Sequence, residues 1–147
     1  RRALATAGTN TACSNGQIWW AAIWVPYNIT LTGIGYLVGS VGGTDSAIAG
    51  LYDSAGTLLA SSALAGATVG TAAEFQSLAF TATYAAKGPS LFYAALQFNG
   101  TTAKFRTHPI PGTKFVASNV AGTFGTMAAI TPGTTFTADK GPIAFLY

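Results

Sequence analysis

Turn punctuation narrows the possible folds of this chain more than any other feature. Asp53-Ser54-Ala55-Gly56, Asn99-Gly100, Gly42-Gly43, Gly88-Pro89 and Pro109-Ile110-Pro111 interrupt it at short intervals. Asp, Ser and Asn bond back to nearby backbone, Gly accepts positive φ, and Pro pre-sets its own φ, so each cluster marks a corner. The runs between corners are rich in Val, Ile, Leu, Phe, Tyr and Thr, and none holds a 3.6-residue apolar period. Short β-branched and aromatic runs bounded by turns read as strands, and helix is expected to be scarce.

Eight strands are expected, over 17–24, 30–41, 47–52, 57–61, 74–83, 91–99, 102–107 and 142–147. In AIAGLYDSAGTLLASS, residues 47–62, two apolar runs flank the Asp53–Gly56 turn and form a hairpin. Asn99-Gly100 predicts a second hairpin between the sixth and seventh strands. In FQSLAFTATY a bulge near Ser77 would carry Phe75 onto the face of Leu78 and Phe80. Eight short strands in one unit predict an all-β fold, a two-layer antiparallel β-sandwich that is jelly-roll-like, with an immunoglobulin-like sandwich as second choice. Residues 1–15 read as an extended N-terminal arm and 16–147 as one domain. The stretch 113–140 is poorly patterned, dominated by Thr, Gly and Ala with isolated Phe115, Phe124 and Phe136. It is either a long surface excursion or two short strands, and a loop of that length usually contacts something.

Composition then bears on surroundings. The chain has 147 residues, enough for a real core, yet only 7% are charged against a usual quarter. Its surface is therefore Thr, Ser, Asn, Gly and Ala, or is covered by partners. The formal net charge of +3 rests on few residues, with Arg1 and Arg2 terminal and Lys104 and Arg106 the one alternating basic pair. Nucleic-acid binding needs a stripe of cations, which is missing. No charge occurs from Ala3 to Thr44, but Gly, Asn, Pro and Thr break that interval before a spanning helix could form. A membrane barrel fits poorly, because LFYAALQF lacks the polar alternation that its strands require. The Arg pair leads into ALATAGTNTA rather than an apolar segment, so no signal peptide is visible, and the start without Met suggests a trimmed or processed chain.

Chemistry has little to work with. The acids are Asp45, Asp53, Glu74 and Asp139, and the three Asp sit where turns use Asp. His108 is the single histidine, in RTHPIP, with no GxSxG nucleophile pattern anywhere. Cys13 is alone, which excludes an intrachain disulfide and reads as a small buried hydrophobe. No Ca²⁺ loop or phosphate loop occurs. The expectation is a non-enzyme without metal or cofactor. Trp19, Trp20 and Trp24 lie within six residues, and in a strand Trp20 and Trp24 share one face while Trp19 takes the other. The favoured arrangement has two in the core and one at a subunit contact.

WVPYNITLTGIGYLVGSVGGTDSAIAGLYDSAGTLLASSALAG, continued by AEFQSLAFTATYAAKGPSLFYAALQFNGTTAKFRT, resembles β-sandwich proteins encoded among the virion structural genes of tailed bacteriophages. The resemblance covers about residues 15–107 and, more weakly, PIAFLY, and it lies in fold-bearing rather than catalytic motifs. It implies a virion component of jelly-roll type. Absence of heptads and repeats favours a capsid decoration, or cement, protein over a fibre shaft. Its expected partners are the major capsid protein or other virion proteins and further copies of itself. Nucleic acid and membrane are not expected. The alternative is a tail-fibre or spike domain that holds host glycans on exposed aromatics. Contact residues expected for either reading are Arg1, Arg2, Trp20, Trp24, Tyr27 and Phe124.

Overall fold

The structure, a computed structural model, describes residues 8–109, 117–133, 137 and 139–147. Among them no helix forms. The strands are β1 (Thr9–Ala12), β2 (Ile18–Val25), β3 (Ile29–Leu37), β4 (Ser46–Tyr52), β5 (Leu58–Ser61), β6 (Ala67–Thr68), β7 (Phe75–Ala86), β8 (Ser90–Phe98), β9 (Lys104–Thr107), β10 (Ala117–Val120) and β11 (Ala144–Leu146). All eight expected strands are present with shifted ends. β1, β6 and β10 are additional, and they are the short or polar ones that period and composition do not mark.

The fold is a β-sandwich of two antiparallel layers. The first layer runs β10-β2-β8-β4-β5, with β6 on the same edge of β4 as β5. The second contains β11-β3-β7 and the pair β1-β9. Isolated bridges Val38–Phe105 and Thr107–Pro142 join that pair to the other three strands. The chain changes layer at every connection except β4→β5 and β5→β6, so most consecutive strands lie in opposite layers of the sandwich. Of the segment 1–15, Thr9–Ala12 are strand and pair with Lys104–Thr107.

Between the layers lies one apolar core. β8 contributes Phe92, Ala94, Leu96 and Phe98, β4 contributes Ala47, Ala49 and Leu51, and the second layer contributes Ile34, Tyr36, Leu78 and Phe105. The alternate residues of the first layer that lie under the stretch 121–133 do not face water. Ile18, Trp20, Ile48, Tyr52, Tyr93 and Ala95 pack under Met127 and Ile130 of the stretch 121–133. Both faces of β8 are thus buried, which is why LFYAALQF runs apolar without alternation. Within the poorly patterned stretch, residues 121–133 form a lid over the second face, preceded by one strand, β10, paired to β2.

Gln97 ties that lid down. It is fully buried, its Nε2 donates to Gly16 O (2.9 Å), Thr123 O (3.0 Å) and Thr126 O (3.3 Å), and its Oε1 accepts from Gly125 N–H (3.2 Å).

Two turn expectations are corrected. Asn99-Gly100 does not close a hairpin, because β8 pairs with β2 and β4 while β9 pairs with β1. The turn instead carries the chain from one layer to the other, and Asp45 holds it there through Oδ2, which accepts Thr102 N–H (2.8 Å) and Ala103 N–H (2.6 Å). Register is continuous at Ser77, and the irregularity falls where Leu31 and Gly33 oppose Tyr84 and Ala79. Phe75 therefore stays on the outer face, 43% exposed. The Asp53 hairpin holds as expected, with Asp53 Oδ1 accepting from Ala55 N–H and Thr57 N–H (both 2.9 Å).

Candidate interaction surface

The largest exposed aromatic side chains gather on one side of the molecule. Trp24, at the end of β2, is 60% exposed, and Tyr27, in the turn to β3, is 62% exposed. Together with Ile29, Phe145 and neighbouring apolar residues they line a groove of about 280 Å³. From Phe145 the exposed apolar surface continues edge-to-face onto Phe75 (centroids 5.3 Å apart) and tilted onto Tyr147 (6.2 Å).

Local sequence builds this surface in two ways. In ITLTGIGYL, Gly33 and Gly35 leave the outer face of β3 without Cβ atoms, and the rings of Tyr147 and Phe145 occupy that space. At the adjacent end, Asn28 Oδ1 accepts Gly88 N–H (3.0 Å), which locks the β2–β3 turn against the β7–β8 turn. A Cβ on Gly88 would meet Tyr27 N at 2.5 Å and Tyr27 O at 2.6 Å. The Tyr27 backbone is thus pinned while its ring projects into solvent.

The surface is also free of charge. β3, β7 and β11 contain no Asp, Glu, Lys, Arg or His. On the outer face of β7, Phe75, Ser77, Ala79, Thr81, Thr83 and Ala85 are all exposed and uncharged. Exposed apolar patches of this kind, edged by small polar residues, mark protein contacts or ligand grooves.

The remaining expected contact residues lie elsewhere. Trp20 is only 2% exposed and sits under the lid with Met127 and Ile130, so it is removed from the surface. Phe124 is half-buried and packs on the same cluster, beside Gly66. Arg1 and Arg2 lie outside the described residues. Trp19 faces the core against Phe105 (5.3 Å, edge-to-face) and carries Lys140 Nζ 5.0 Å above its ring. Phe145, Phe75 and the glycines beneath them escaped the sequence reading, although the alternation G-I-G in β3 was a usable signal.

Reactive groups are held in structural roles. Cys13 is buried, and its thiol donates to Ala103 O (3.0 Å) and Gly100 O (3.2 Å). Burial first, then the Asp45 carboxylate, pushes its pKa up to about 12. Burial likewise lowers the pKa of His108. Among the described residues no three His, Cys, Asp or Glu side chains come together as a metal site. Comparison of the chain with protein-family models, with curated proteins and with solved structures returned no match.

Proposed function

We propose that the protein is a virion structural subunit, a capsid decoration protein that binds the phage shell by protein–protein contact through the outer face of its second layer. The observation that carries this reading is the uncharged, aromatic-studded surface from Trp24 and Tyr27 across Phe145 to Phe75. The twelve residues of β7, nine of β3 and three of β11, at about 3.3 Å along and 4.8 Å across each strand, make a face on the order of 400 Å². The Trp24–Tyr27 turn enlarges it, and the whole is the size of a small interface, below the roughly 800 Å² per partner of a standard one. The virion assignment itself rests on the sequence resemblance, and the face supplies the physical means of attachment.

The same surface suits protein better than sugar. Apart from the Tyr27 hydroxyl and the Trp24 indole N–H, the side chains lining the groove are apolar. A glycan site needs several placed polar partners beside its stacking ring. Cosedimentation with shells assembled from the major capsid protein encoded with this chain tests the proposal. Trp24→Arg and Phe145→Arg should each abolish binding while far-ultraviolet circular dichroism stays native. Undiminished binding by both would overturn it, and specific retention on a glycan array lost in Trp24→Ala would establish the sugar reading in its place.

A further inference from the structure

The chain contains two Asn-Gly dipeptides, Asn15-Gly16 and Asn99-Gly100, and the fold treats them differently. Asn-Gly is the dipeptide most open to intramolecular succinimide formation, because glycine leaves the following backbone nitrogen unshielded. At Asn15-Gly16 that nitrogen is engaged, since Gly16 N–H donates to Phe98 O (2.8 Å). Gly16 is itself buried against Gly122. At Asn99-Gly100 the nitrogen is unengaged, as Gly100 N–H makes no hydrogen bond among the described residues. The side chain there is already polarised. Ser46 N–H donates to Asn99 Oδ1 (2.7 Å), while Asn99 N–H donates to Ser46 O (3.1 Å). Asn99 is exposed, so water and hydroxide reach it.

We infer that Asn99-Gly100 is a self-modification site, at which the folded chain converts Asn99 to aspartyl and isoaspartyl residues while Asn15 is spared. Gly100 N loses its proton to hydroxide and attacks Asn99 Cγ. The negative charge that develops on Oδ1 falls on the Ser46 N–H, a donor already aimed at it. Water protonates Nδ2 and regenerates the hydroxide, the Cγ–Nδ2 bond breaks, and the nitrogen leaves as ammonia from the five-membered ring, which becomes the imide. Water opens the imide at either carbonyl, giving aspartate or isoaspartate. No oxidant or reductant takes part. The product adds one negative charge beside the Asp45 carboxylate, which lies against Gly100 and holds Thr102 and Ala103. For a chain with only four acids this is a sizeable electrostatic change, one-way, at the crossing between layers.

The test is peptide mapping by mass spectrometry of the intact folded protein during incubation at neutral and at mildly alkaline pH, with isoaspartate scored separately. Breaking the Gly16 hydrogen bond before reaction should hold Asn15 to a rate about fivefold or more below that of Asn99. The Asn99 rate should rise with hydroxide concentration, and the difference between the two sites should vanish in denaturant. Asn99→Gln should remove the accompanying acidic shift on ion exchange. Equal rates at the two sites in the folded chain, a faster Asn15, or an Asn99 that stays intact while the denatured chain converts would each overturn the inference.

Discussion

Replacing Gln97 with leucine tests the claim that the unpatterned stretch 121–133 is a structural lid rather than a loose loop. Leucine fits the same space but offers no donor or acceptor. Thr123 O keeps a partner in Thr126 N–H (3.0 Å), whereas Gly16 O, Thr126 O and Gly125 N–H lose the partner that Gln97 supplied. Thr126 lies at the surface and can turn its carbonyl to water, but Gly16 is buried. Stranding a buried backbone group costs about 1–3 kcal/mol, and Gly16 O with the half-buried Gly125 N–H brings the expected loss to roughly 2–3 kcal/mol once leucine's apolar gain is subtracted. The loss should appear first as lid opening, because among the described residues the lid is otherwise held by Met127, Ile130, Phe124, the bond from Tyr52 Oη to Ala128 O (2.9 Å) and the bond from Ile130 N–H to Gly56 O (3.0 Å). Urea denaturation gives the stability change. Acrylamide quenching in a Trp24→Phe background reports the lid directly, since Trp19 points into the core and Trp20 lies under 121–133. A change below about 1 kcal/mol with unaltered Trp20 quenching would refute the reasoning, because it would mean that the four bonds contribute no more than one ordinary hydrogen bond.

Three other outcomes are expected. Cys13 should resist thiol reagents in the folded state and react only on unfolding; because its pKa rises from 9.0 to about 12, the native state keeps the proton longer, so this group's contribution to stability is constant below pH 9 and falls between pH 9 and about 12, measurable by denaturation across that range. The isolated protein should self-associate through its uncharged aromatic face, so sedimentation velocity over a concentration series should show oligomers that Phe145→Arg disperses; a monomer unchanged into the high micromolar range would remove self-association from the proposal. Deleting residues 1–7 should weaken shell binding if an N-terminal arm contributes, without loss of β1, whereas deletion through Thr11 would also strip three of the four residues that pair with β9; intact binding after the shorter deletion would exclude the arm.

Much of this protein is written locally. Alternation, β-branched runs and turn chemistry act over a few residues, so the eight principal strands and the Asp53 hairpin could be read directly, and their number and length implied a sandwich. The burial of LFYAALQF was equally plain, but not what buries it, since an apolar run does not name its cover. That decision belongs to tertiary structure. Met127 and Ile130 are sparse in an otherwise Thr- and Gly-rich stretch and gain meaning only when Gln97, about thirty residues earlier in the chain, anchors them over β8. The same holds for Asn99-Gly100, whose dipeptide signals a hairpin until the partners of β9 prove to be β1 and the bridges to Val38 and Pro142. Trp20 and Trp24 share a strand face by period, yet one is buried and the other exposed, because the lid covers the first and stops short of the second. Periodicity assigns side chains to a face. Only long-range packing decides whether that face meets protein or water.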